Sequence, residues 1–267
     1  MMKYLSFFRI RFLYNLQYRT AAVSGIATQF FWGFMEIMMF QAFYRADPEA
    51  FPMTIEQVTA YVWLQQAFLA LFMVWFYENE LFDSVRSGNI AYELCRPADI
   101  YTMWFVRSAA ARTAKAFLRC APIVLAAFFL PENMRLVLPS SLETMLLFLL
   151  SMAFALLVIV AYSMIVYSAA FYTYNIQGVR MVAQCVAEFF TGSVIPIPFM
   201  PDSWQRWMNL LPFASMQNVP LRVYSGNISG RELVSAFGLQ LFWIVVLVAI
   251  GKAMMYRGMQ KVVIQGG

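Results

Sequence analysis

Seven charged side chains crowd into residues 78–99, ENELFDSVRSGNIAYELCRPAD: Glu78, Glu80, Asp83, Arg86, Glu93, Arg96 and Asp99. The chemistry they offer is ion pairing. Catalysis is poorly served, because the sequence holds no histidine, which removes the commonest general base, proton shuttle and metal ligand. There is no GxSxG elbow and no external carboxylate pair at catalytic spacing. Cys95, Cys120 and Cys185 are too dispersed for a disulfide framework or a zinc site, so no metal site and no catalytic residue is expected. Within the charged stretch, Leu81, Phe82 and Val85 fall at i, i+1 and i+4, with the acids on the other side. That pattern predicts a short amphipathic helix, followed by a turn at Gly88 and a stop at Pro97. A helix offered to a groove on another protein is a recurring recognition mode. The plainer reading is a solvated loop, but connections between packed helices usually run to about 2–8 residues. The length of this one favours docking.

Three further charges, Glu36, Arg119 and Glu188, lie inside apolar runs. Charges in lipid are costly and normally face a bundle interior or a water-filled path. They read either as the polar lining of a substrate path or as a structural ion pair, Arg119 being within helical reach of a carboxylate. Pro196, Pro198 and Pro201 fall within six positions, where no regular helix continues. With Trp204 beside them, residues 196–228 read as a re-entrant external gate, or as a surface helix anchored by its tryptophans.

These groups are set in 267 residues of which 62% are hydrophobic and only 12% charged, against about 45–50% and about 25% in soluble domains. The expected class is an all-α membrane protein. Barrel strands would alternate over about 10 residues, and these runs do not. Six transmembrane helices are expected: 20–44, 54–77, 99–130, 140–174, 176–195 and 233–255. A Thr54–Gln57 box, Asp99, a Ser140–Glu143 box, Asn175 and a Ser229–Glu232 box supply their start signals. An external proline-broken hairpin lies between spans five and six. Residues 3–19, rich in aromatics and arginine, suit an N-terminal interfacial helix drawn to anionic lipid. Positive charge sets the orientation: with both termini cytoplasmic, only Arg45, Arg135, Arg206, Arg222 and Arg231 of the 19 Lys and Arg residues fall outside. The net charge of +5 therefore marks topology and not a nucleic-acid surface.

Three segments carry a resemblance: FFRIRFLYNLQYRTAAVSGIATQFFWGFMEIMMF, RSGNIAYELCRPAD and TGSVIPIPFMPDSWQRWMNLLPFASMQNVP. Together they resemble the membrane permease subunit of ABC type-two exporters, in the stand-alone six-span group. The resemblance spans essentially the whole chain as a single domain, residues 1–267. It implies a half-channel in the bacterial cytoplasmic membrane that pairs with a second permease copy or a paralogue. It also implies a cytoplasmic ABC ATPase subunit as partner, contacted by the N-terminal helix and by the loop between spans two and three. By position, Glu78, Glu80, Asp83, Arg86 and Gly88 would lie in that contact. No GxxxxGK[ST] phosphate loop is present, so no cofactor is expected to bind directly and ATP would be hydrolysed by the partner. The cargo implied is amphiphilic or hydrophobic. The alternative is an ion- or proton-coupled carrier that uses Glu36 and Glu188.

Overall fold

Long apolar runs that do not alternate satisfy their backbone only as helix, and no strand forms among the described residues. The computed structural model describes residues 2–17 and 19–260, without the side chains of 19–24. Tyr18, Lys261 and the Arg19 side chain, used above in reading the N-terminal helix and the orientation, lie outside the described residues. The helices are α1 (Met2–Leu16), α2 (Arg19–Ala46), α3 (Ile55–Ala67), α4 (Leu69–Phe72), α5 (Asn79–Arg86), α6 (Ile90–Leu94) and α7 (Ile100–Phe128). They continue as α8 (Leu142–Ala169), α9 (Ile176–Thr191), α10 (Asp202–Leu210), α11 (Asn218–Tyr224) and α12 (Gly230–Met259), with a 3-10 turn at Ile197–Phe199. Among these, α8 and α12, of 28 and 30 residues, are long and apolar enough to cross a bilayer.

The start signals are only partly used as the sequence suggests. The Thr54–Gln57 box forms in full, with the Gln57 amide donating to the Thr54 hydroxyl at 3.3 Å and the reciprocal bond at 3.1 Å. Asp99 caps α7 by accepting from the Thr102 amide at 3.0 Å. At α8 the cap is Ser141, which accepts from Thr144 N at 3.1 Å, one residue later than the Ser140–Glu143 spacing suggested. Asn175 stands at the start of α9, but its side chain makes no capping bond. Ser229 likewise makes no capping bond, and Glu232 turns instead to Arg222 at 2.9 Å. A charge-assisted bond is roughly twice as strong as a neutral one, so the arginine wins. Helix α8 also stops at Ala169, short of the expected Tyr174, which gives it about 42 Å at 1.5 Å per residue.

The second apolar run departs furthest from expectation. In place of one helix from 54 to 77, α3 ends at Ala67, α4 holds four residues, and the backbone from 73 to 78 is unwound. The main core gathers around Trp63, Phe72, Ile123, Phe148 and Ile159, drawn from α3, α4, α7 and α8. A second cluster sits at one end of the bundle, built from Tyr77, Leu81, Phe82, Ile90, Tyr101, Trp104, Tyr167 and Met255. That cluster lies beneath residues 78–99.

Candidate functional site

Residues 78–99 fold as α5, a turn and α6. The turn needs Gly88, whose φ of +77° lies in the left-handed region where a Cβ would clash. Leu81 and Phe82 are buried and Val85 packs beside them, as the i, i+1, i+4 spacing requires. On the other side Asp83, Arg86, Ser87, Gly88 and Asn89 are exposed. The amphipathic helix read from the sequence is present, and its polar face is open.

This element is fastened to most of the bundle. Arg107 on α7 bonds the carboxylates of both Glu78 and Glu80. The indole of Trp104, also on α7, donates to Glu93 at 2.7 Å. The Glu78 amide donates to the Tyr167 hydroxyl on α8 at 2.8 Å. Arg180 on α9 donates to Asn79 Oδ1 at 3.0 Å and stacks its guanidinium over Tyr77 and Phe82. Asp99 accepts from the Tyr256 hydroxyl on α12. We therefore describe residues 78–99 as a platform and not as a loop. Arg107, Trp104, Tyr167, Arg180 and Tyr256 are the residues that sequence reasoning missed. Their partners are about 10 to 160 positions away in the chain, so no local spacing signals them. The uneven placement of arginine was the one available hint.

Helix α1 joins the same assembly. Lys3 donates to the Pro97 carbonyl at 2.8 Å, and the Asp99 amide donates to the Tyr4 hydroxyl at 3.2 Å. Further along, the Phe12 ring stands 6.4 Å from that of Phe117. Those contacts run α1 beside α7 in the same chain direction, with none of its described residues buried. Beyond α5, a groove of about 620 Å³ separates the platform from the α8–α9 turn. Phe82, Asp83, Arg86, Tyr172, Tyr174 and Arg180 line it.

The five platform residues singled out by sequence thus divide. Glu78, with its side chain only 15% exposed, is turned inward to Arg107; Glu80 shares that arginine while remaining 75% exposed. Asp83 and Arg86 project outward, with no side-chain ion pair or hydrogen bond among the described residues. The hydrogen bond and charge of Arg107 hold the Glu80 carboxyl below its usual value. A depressed carboxylate stabilises the fold above its unfolded pKa, and that contribution is lost as pH falls through the lower folded value. The protection of residues 79–94 against hydrogen exchange, taken relative to the intrinsic rate at each pH, should therefore be flat from pH 7 to about 5. Protection should weaken only below the ordinary carboxylate range near 4.5.

At the opposite end, Pro196 precedes the 3-10 turn, Pro198 is buried within it, and Pro201 stands at the start of α10. Trp204 is half exposed, its ring 6.1 Å from Phe189. The two helices that follow differ in exposure. Helix α10 carries Trp204, Trp207 and Leu210 outward, whereas α11 is buried against α3 and α8. Buried Asn218 on α11 accepts from the Tyr61 hydroxyl at 3.4 Å, and Tyr224 donates to the Val137 carbonyl at 3.1 Å. Gln240 on α12 binds the carbonyls of Ser151 and Ser215, tying α8 to the same segment.

The three charges set in apolar runs have separate surroundings. Glu36 accepts from the Gln66 amide at 3.4 Å and Glu188 from Gln184 at 2.9 Å. The Arg119 guanidinium lies against Gly25 on α2, where an added Cβ would stand 2.8 Å from its central carbon. Among the described residues no group of carboxylates, thiols or imidazoles is placed to hold a metal ion.

The arrangement is an exposed charged helix, a groove beside it, and hydrogen-bonded ties into the long helices. Among curated proteins no match to the chain is found. The profile of the ABC-2 family transporter proteins matches residues 30–266, which includes the platform, the proline-broken segment and every long helix from the middle of α2 onward. With nearly its whole length inside that match, the chain belongs to the ABC-2 family of transporter proteins, as a membrane permease.

Proposed function

We propose that this permease is the six-span half of an ATP-driven exporter and that a separate ABC ATPase pushes on it through the platform. The spans are α2, the α3–α4 pair, α7, α8, α9 and α12, with both termini and the platform on the cytoplasmic side. The observation that carries this reading is the division of labour within residues 78–99. One set of charges is consumed in fixing the platform to α7, and Asp83, Arg86 and Gly88 are left facing outward beside a groove. A surface that is polar at its rim, aromatic within and rigidly backed suits a protein partner. Helix α1, lying beside α7, extends the same surface.

Closure of two ATPase subunits on ATP would shift the platforms of two paired permeases, and the ties to α7, α8, α9 and α12 would convert that shift into tilting of the spans. Glu36 and Glu188, each answered by a glutamine amide, then line a polar path, and the α10–α11 segment closes its outer end. The cargo is amphiphilic or hydrophobic, a reading that the soft exposed face of α2, with Phe31, Met35, Met38, Met39 and Phe43, supports. Accumulation of cargo inside inverted vesicles tests the mechanism. ATP with the co-purified ATPase should drive it, and dissipating the ion gradients with ionophores should leave it unchanged. Accumulation that follows the gradient and ignores ATP would instead assign Glu36 and Glu188 to ion coupling.

A further inference from the structure

Arg112 on α7 is fully buried, and no carboxylate pairs with it among the described residues. Its Nη1 donates to the carbonyls of Leu71 and Met73 at 3.2 and 2.6 Å. Its Nη2 donates to the carbonyl of Phe76 at 3.0 Å and to the Ser163 hydroxyl on α8 at 3.1 Å. The Phe76 ring lies 5.5 Å from the guanidinium carbon. Leu71, Met73 and Phe76 belong to the stretch where α4 ends and the backbone unwinds toward the platform. The last carbonyls of a helix lack intrahelical donors and carry partial negative charge. A guanidinium among them satisfies both sides, and this accounts for a break that apolar composition alone does not predict.

The group does more than cap a helix, because it joins three moving parts. Residues 73–78 form a strap continuous with α5, so any displacement of α5 pulls on the carbonyls that Arg112 holds. Arg112 itself belongs to α7, and Ser163 passes the contact to α8. The hub is also incomplete. Arg112 Nε, the Tyr77 hydroxyl and Glu78 Oε1 are buried with no hydrogen-bond partner among the described residues, and Glu78 lies in the field of Arg112 as well as that of Arg107. Buried polar groups are normally paired. An unsaturated cluster at the root of the platform leaves room for a second set of pairings, which a two-state element requires.

We propose that Arg112 is the positioning residue that transmits displacement of α5 into α7 and α8, so that its loss uncouples the outer end of the bundle from the platform. This rests on the ATPase-driven reading above. The test uses the full permease with its co-purifying ATPase in lipid discs, after Cys95, Cys120 and Cys185 are replaced by serine. Single reporter thiols are placed at Ser87→Cys on the platform and Asp202→Cys on α10. In the parent, vanadate trapping of nucleotide should change the labelling rate about threefold or more at both positions.

Arg112→Gln keeps one amide donor but cannot span the four acceptors. It should preserve ATPase co-purification and the response at Ser87→Cys while abolishing the response at Asp202→Cys. Arg112→Lys, which keeps the charge but not the fork, should give the same split, and it decides the question if the glutamine variant does not accumulate. A full response at Asp202→Cys in either variant overturns the proposal, as does a parallel loss at both positions, which marks a merely structural role. No response at Ser87→Cys in the parent overturns the ATPase-driven reading itself.

Discussion

Exchanging the two outward charges of α5, Asp83→Arg together with Arg86→Glu, should abolish co-purification of the ATPase while leaving the permease folded. Neither side chain has an ion-pair or hydrogen-bond partner among the described residues, so removing them breaks nothing inside the chain. The swap keeps opposite charges three residues apart on one helix. Its internal cost is the loss of a cation from the last turn of α5, worth about 0.3–1 kcal/mol. Across an interface the effect is larger, because like charges brought together cost several kcal/mol. A loss of about 3 kcal/mol would weaken the complex roughly a hundredfold. The measurement is affinity capture of the tagged permease with mass spectrometry of its partners, alongside thermal unfolding of the permease alone. Retained ATPase with normal transport would move the docking site elsewhere, with α1 the first alternative.

The second large effect is expected at Arg107. Its side chain is 11% exposed and bonds both Glu78 and Glu80. Arg107→Met keeps the apolar stem that packs along α7 but strands the Glu78 carboxylate in a largely buried position, with one oxygen already unpartnered among the described residues. Breaking a buried pair by removing one member costs about 3–5 kcal/mol, and partial exposure of Glu78 places this case at or below the lower end. Hydrogen exchange of residues 78–96 should rise about a hundredfold while α8 and α12 stay protected, and ATPase capture should fall with it. Adding Glu78→Gln to Arg107→Met should recover part of the protection, since the stranded charge is then gone. No recovery in that double variant would mean that the pair is not what fixes the platform.

These two variants separate the halves of the platform, one exposed and one consumed in holding it. Sequence spacing located the amphipathic helix, since Leu81, Phe82 and Val85 had to share a face and Gly88 had to turn. It could not distinguish Glu78 from Asp83, because both are acids on the polar side of one short stretch. Only the approach of α7, 29 residues further along, turns Glu78 inward. The same holds for the break after Ala67. The run from 57 to 77 holds no charged residue, and Arg112, which holds the unwound carbonyls, was visible beforehand only as one of several basic residues marking the inner side.

The proline-rich segment shows a related limit. Pro196, Pro198 and Pro201 forbid a regular helix wherever they are placed, so the interruption was legible. Whether the following helices lie on the surface or insert was not, and the structure divides them: α10 shows its tryptophans and α11 is buried.

What the sequence determined by itself was the class of molecule, some helix starts and breaks (the caps at Thr54 and Asp99 and the interruption at Pro196–Pro201), and the short helix with one apolar face. These follow from composition and from interactions within a few residues, which any chain of this sequence carries before it folds. The tertiary structure decided which charges are spent inside and which are offered outside, where Arg112 and Arg107 reach, and which part of the proline-broken segment is buried. Those outcomes depend on side chains meeting across tens to more than a hundred residues, and such meetings are set by how the helices pack.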